Sequence, residues 1–209
     1  MPRIYYLLGG LTLACAHAQN TSDSVMVRAP ELRAEIGRMV AADQAVQQQI
    51  NERAQAGQPV GPADIARRDS VFGANLARMR IILAKYGWPG RRLVGEEGSH
   101  GAWLLLQHAD RDTALQRTAL ELLARAVNSG DASGRDLAYL TDRVRLAEGR
   151  LQVYGTQLDY DSRGCASPKP SENPEQLDAR RAAAGLDPVA AYIQHVMETL
   201  GRADQCRAK

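Results

Sequence analysis

The sequence predicts a mostly α-helical single domain: a bundle of about seven helices with a short β-hairpin or extended strap. Three observations carry this expectation. Apolar residues recur at steps of three and four over most of the stretch 30–203. Gly- and Pro-rich breakers cut that stretch into pieces of helix length. Only 151–161 alternates instead, weakly, around Gly155. With 209 residues the chain can bury one substantial core but not two of ordinary size.

The elements follow in order. Leu32, Ile36, Met39, Val46 and Ile50 form the first apolar stripe, which frays near Gly57 before the breaker turn 58–62. A second helix runs from about Ala63 to Tyr86 on Ile65, Phe72, Leu76, Met79 and Leu83. It ends at Gly87-Trp88-Pro89-Gly90, since proline cannot extend the hydrogen-bond ladder and glycine accepts a cap conformation. The segment 99–109 is apolar nearly all round, the mark of a central helix. Asp112 is a natural N-cap for a helix to about Val127, and Ser133 with Asp136 starts another through Glu148. The stretch 162–171 reads as a loop. Asn173-Pro174 opens a helix with Gln176 placed to reach back, stopping at Gly185. Asp187-Pro188 opens the last, with Val189, Tyr192, Ile193, Val196 and Leu200 facing inward.

The first residues have the form of an export signal. Arg3 gives a minimal positive start, 4–14 is a short apolar run, and Ala16-His17-Ala18 is a small-x-small cleavage site before Gln19. The organisation expected is therefore a signal peptide over 1–18, a flexible leader over 19–29, one domain over 30–203 and a tail over 204–209. A competing reading lipidates Cys15, but Thr12 stands where such a site normally has leucine. The apolar run is too short to span a membrane, so no stable span is expected after cleavage. Cleavage removes Cys15 and leaves Cys165 and Cys206. An oxidising compartment would let these two pair, closing a loop worth about 3–4 kcal/mol; the alternative is two free thiols in mobile segments.

The net charge of +2 falls to +1 with the signal removed, and no basic stripe appears, which argues against a nucleic-acid partner. No phosphate loop with its lysine and no Gly-x-Ser-x-Gly elbow is present. His100 and His108 are eight apart, which does not stack them on one helix face, and no cofactor is indicated. Asp43, Asp69 and His108 are the one trio from which a metal site could be drawn, and none is expected.

Chemistry-bearing residues stand out against the apolar periodicity. Asp43 sits between Met39 and Val46, and Asp69 between Ile65 and Phe72, both inside their stripes. A carboxylate there needs a partner, because a bare buried charge costs several kcal/mol. For each, a buried ion pair or helix cap is the structural explanation. His108 ends the central helix, where the dipole favours an imidazolium and a carboxylate could orient the ring as a general base. A histidine that merely bridges two helices is the alternative. His17 leaves with the signal, and His195 lies on an ordinary surface. Asp142 falls between Ala138 and Leu146, predicting a partly buried carboxylate, with Arg143 beside it. Tyr154-Gly155-Thr156-Gln157 combines a permissive glycine with directional donors and acceptors.

Asp43-Gln44, Gly87-Trp88-Pro89, Gly95, Gln107-His108-Ala109-Asp110, the run Tyr139 to Val144, Tyr154-Gly155-Thr156-Gln157, and Asp178-x-Arg180-Arg181 with Gly185-Leu186 together resemble an uncharacterised bacterial family, a domain of unknown function. The likeness spans roughly 32–193; 165–171 and the end beyond Leu200 depart from it. It implies no activity, but it supports Asp43, His108, Asp142, Tyr154 and Gln157 as one cluster. Two functions are compatible with these residues. In the first, an exported, metal-independent hydrolase or transferase uses His108 as acid/base with Asp43 or Asp142 orienting it. Gln107, Arg143, Tyr154 and Gln157 then hold a small polar substrate. In the second, a non-catalytic envelope domain uses the same residues as a buried hydrogen-bond network.

Overall fold

The computed structural model describes residues 27–206. The expected signal segment, its cleavage between Ala18 and Gln19, the lipidation alternative at Cys15 and the leader up to residue 26 lie outside the described residues. Seven α-helices are described: α1 Pro30–Gln55, α2 Pro62–Tyr86, α3 Arg91–Gln107, α4 Thr113–Asn128, α5 Gly134–Ala147, α6 Leu177–Ala183 and α7 Val189–Thr199. Strands β1 Leu158–Tyr160 and β2 Ala166–Pro168 pair antiparallel, with Asp159 opposite Ser167. The segment 162–171 is therefore not all loop. Its Ala-Ser-Pro stretch gives little strand signal alone and is a strand because β1 offers it an edge.

The apolar helix lies at the centre as its composition requires. α3 packs against α1, α2, α4 and α5, and Val94, Ala102, Leu105 and Leu106 are fully buried. It begins at Arg91, eight residues earlier than the apolar run suggests, and is kinked at Gly95 (φ 76°, ψ 172°). The kink lets a polar first turn join a buried shaft. The α2–α3 corner needs its glycines. Gly87 takes φ 70°, and a Cβ on Gly90 would lie 2.2 Å from Asp131 Oδ2 and 2.7 Å from its carbonyl oxygen. Asp131 approaches that closely because it caps α3, accepting from the Arg91 and Arg92 amides. Trp88 is held in the corner by a 3.0 Å bond from Nε1 to Ser99 Oγ.

Asp112 and Ser133 cap α4 and α5 as expected, accepting from Leu115 N and Asp136 N. Asn173 does not cap by side chain: it sits at φ 41° before a 3-10 turn over Pro174–Gln176, and Gln176 makes no capping bond. In α7 only Met197 is fully buried; the expected inward residues are half-covered, since the helix lies at the periphery against α6 and β2. The leader is not loose at its end, because the Arg28 and Ala29 amides donate to Arg92 O and Leu93 O. The tail is tied as well: Asp204–Cys206 is a 3-10 turn, and Cys206 is disulfide-bonded to Cys165, with Cα atoms 5.5 Å apart. Among the described residues no helix is long and apolar enough to cross a membrane.

Candidate functional site

The anomalous Asp43 finds its partner in His108. From α1, Asp43 is 1% exposed, and its Oδ2 lies 2.9 Å from His108 Nδ1 at the C-terminal end of α3. Gln44 Nε2 donates to the other oxygen at 2.9 Å. The imidazole lies flat on Phe72 of α2, centroids 4.6 Å apart and planes 9° apart. Three helices thus fix one ring. With Nδ1 donating to the carboxylate, Nε2 is the nitrogen left to exchange a proton, and no described residue hydrogen-bonds to it. The ring is nearly covered, its side chain 9% exposed. Among the described residues no group of three His, Cys, Asp or Glu side chains is arranged to hold a metal ion. Asp69 is not in this cluster. It is about one-third exposed and bridges Arg68 and Arg111, and its hydrogen bond from Arg68 holds its carboxyl below the ordinary range.

Asp142 performs a different task, and its bonds go to the strap. Fully buried on α5, it accepts from the amides of Val153 (2.6 Å), Tyr154 (3.0 Å) and Thr156 (2.9 Å) and from Thr156 Oγ1 (2.9 Å). From the opposite side Arg181, 1% exposed, donates Nη1 to Tyr154 O at 2.7 Å. Arg180 Nε donates to Val153 O and the Tyr192 hydroxyl to Thr156 O. Gln152, wholly buried, closes the strap by bonding both the amide and the carbonyl of Gln157. Asp142 therefore anchors the strap and is not placed to orient the imidazole. Burial, the larger effect, pulls the Arg181 guanidinium down, and it pushes the Tyr192 and Tyr139 phenols up.

The expected single cluster is thus two, joined through α5. Arg143, next to Asp142, pairs at 2.7 Å with Asp110, two residues beyond His108. Tyr154 and Gln157 are half-buried on the pinned strap, with Gln157 Nε2 bonded to Thr156 Oγ1. Gln107 is 1% exposed, and its Nε2 has no hydrogen-bond partner among the described residues, so it is packed between helices and not presented to solvent.

Sequence reasoning missed a second histidine–carboxylate pair. His100 Nδ1 lies 3.0 Å from Asp136 Oδ1, the ring stacks on Trp103 at 4.8 Å, and the side chain is half-exposed over a buried carboxylate. The Asp136 hydrogen bond raises the His100 pKa, while burial raises that of Asp136. The signal was available: 100 to 136 and 103 to 139 share one offset, the register of two parallel helices, and Trp103 meets Tyr139 edge-on. Arg181 and Gln152 were also missed as anchors. A buried arginine whose acceptors are carbonyl oxygens leaves no carboxylate to find in the sequence.

These features define a helical domain with one buried imidazole–carboxylate pair and one rigidly held strap. Residues 30–203 match the model of DUF6624, a family of unknown function, and the chain belongs to that family. No curated protein matches the chain, and no solved structure matches it.

Proposed function

We propose that the chain is an exported hydrolase- or transferase-type enzyme acting on a small polar substrate, with His108 as its acid/base and Asp43 as the residue that orients it. The observation that carries this reading is the 2.9 Å contact from a buried carboxylate to Nδ1, which leaves Nε2 as the basic nitrogen. In the reaction envisaged, Nε2 takes the proton of a water or substrate hydroxyl as that oxygen attacks an electrophilic centre. It then returns the proton to the leaving group. Asp43 stabilises the imidazolium formed between the two steps. Asp142 acts as a positioning residue, setting the strap that carries Tyr154 and Gln157. Arg143, already balanced by Asp110, supplies a polar edge near His108. The Cys165–Cys206 bond agrees with export into an oxidising compartment.

The low exposure of His108 and its flat packing on Phe72 favour a second reading, in which the pair is a network fixing the register of α1, α2 and α3. Diethyl pyrocarbonate labelling of the native protein, mapped by mass spectrometry, separates the two. His100 and His195 are exposed and serve as internal controls. Under the catalytic reading His108 is modified in the folded state, and His108→Gln removes turnover in a chromogenic ester and phosphate screen while changing stability little. Labelling of His108 only on unfolding, with a loss above about 3 kcal/mol in His108→Gln, would establish the network reading instead.

A further inference from the structure

Trp88 of the Gly87–Gly90 corner, which the His108 reading does not use, lines an open cleft of about 500 Å³ beside the N-terminal end of α3, the end opposite His108. That volume is in the range of small-ligand sites. Arg28, Lys85 and Arg92 line it beside Tyr86 and Trp88, and its lining holds a single carboxylate, Asp131. That carboxylate is already engaged, since Oδ1 accepts from Arg92 N at 2.8 Å and from Arg92 Nε at 3.2 Å. Among the described residues no acidic side chain is ion-paired with Arg28 or Lys85. The lining therefore holds two cations more than its acid balances, and opposing charge in such a cleft is attracted strongly.

The walls of the cleft are held in place. The Arg28 backbone is tied to α3, Arg92 Nη2 is anchored on Ser129 O at 2.8 Å, and the Trp88 wall is fixed through Ser99. The first amides of α3 are consumed by Asp131 and Gly90, so recognition falls to side chains. Tyr86 offers a partly exposed ring, with Lys85 Nζ 4.8 Å from its centroid. We propose that this cleft binds a phosphate monoester dianion whose organic body lies on Tyr86. The Arg28 fork can take two phosphate oxygens and Lys85 a third, a charge match that a single carboxylate would meet only in part. The aromatic ring gives a flat body a place to rest.

Calorimetric titration of the full chain with phenyl phosphate, inorganic phosphate and phenol tests this. Phenyl phosphate should bind saturably, inorganic phosphate more weakly, and phenol not at all. Arg28→Gln and Lys85→Gln should each weaken phenyl phosphate on the order of tenfold, the scale of one charge-assisted bond. Tyr86→Ala should abolish the preference for phenyl over inorganic phosphate, and His108→Gln should leave binding intact. Vesicles carrying phosphatidic acid form a second arm. Binding there alone, lost in the same two variants, assigns the ester to a lipid headgroup; binding in solution assigns it to a free metabolite. Either upholds the proposal. Binding in neither arm, or binding unchanged in both Arg28→Gln and Lys85→Gln, overturns it.

Discussion

Replacing Asp142 by asparagine keeps the shape of the side chain and removes one acceptor, and the structure sets what that loss costs. One oxygen serves the Val153 and Tyr154 amides; the other serves the Thr156 amide and hydroxyl and is also 3.2 Å from the Tyr154 amide. An asparagine can keep its carbonyl toward Val153 and Tyr154, and the Thr156 hydroxyl can rotate to accept from the new NH2. The Thr156 amide cannot adapt, and it is left buried without an acceptor, at a cost of about 1–3 kcal/mol. The two remaining amide bonds also lose their charge assistance, which roughly halves their strength. Together these give a destabilisation of about 3 kcal/mol, equivalent to a fall of roughly 6–12 °C in Tm for a domain of this size. Urea unfolding gives the free energy, and amide exchange at Val153, Tyr154 and Thr156 localises it. A loss below about 1 kcal/mol, or unaltered exchange at Thr156, would refute the view of Asp142 as the strap's anchor.

Other perturbations have equally definite outcomes. His100 has its pKa raised by Asp136, with Glu96 adding to the shift and Arg135 opposing it. Its contribution should therefore be complete below the unfolded value of about 6.5 and fade as pH rises through the folded value. The stability gap between wild type and His100→Gln, held to about 1 kcal/mol or less by solvent screening, should narrow across that window in urea titrations; a gap that widens would contradict the pairing. Cys165→Ser with Cys206→Ser should cost about 3–4 kcal/mol for the 41-residue separation it releases, and a change under 1 kcal/mol would mean that the tail is held without the bond. Gly90→Ala should destabilise by about 1–3 kcal/mol, because its Cβ meets Asp131 at 2.2 Å; an unchanged Tm would require the corner to be softer than described.

The parts of the fold legible in the sequence are those governed by local physics. Apolar spacing located α1 and α2, the caps that placed α4 and α5, at Asp112 and Ser133, are side-chain bonds made within three residues, and all-round apolarity placed α3 at the centre. The acid of α1 was visible because a carboxylate inside an apolar stripe needs a partner. Which partner was not visible, since Asp43 and His108 are 65 positions apart. Asp142 was recognised as buried but misread in role, because the strap it binds answers with backbone amides, which every residue but proline carries. Arg181 was illegible for the mirror reason, its acceptors being main-chain oxygens. The strand Ala166–Pro168 likewise owes its form to a neighbour and not to its own residues.

The parallel register of α3 and α5 bears on how the two clusters act together. His100 meets Asp136 and Trp103 meets Tyr139, so the two helices are joined at two levels, and Asp110, just past the end of α3, adds a third tie through Arg143. Asp142 and Arg143 are adjacent on α5, one holding the strap and the other holding the residue two beyond His108. A shift of α5 along its axis cannot move Tyr154 and Gln157 without straining the Asp110 contact as well. The strap is therefore set by α5 and the imidazole by its contacts on α1, α2 and α3, with the Arg143–Asp110 pair tying the two together.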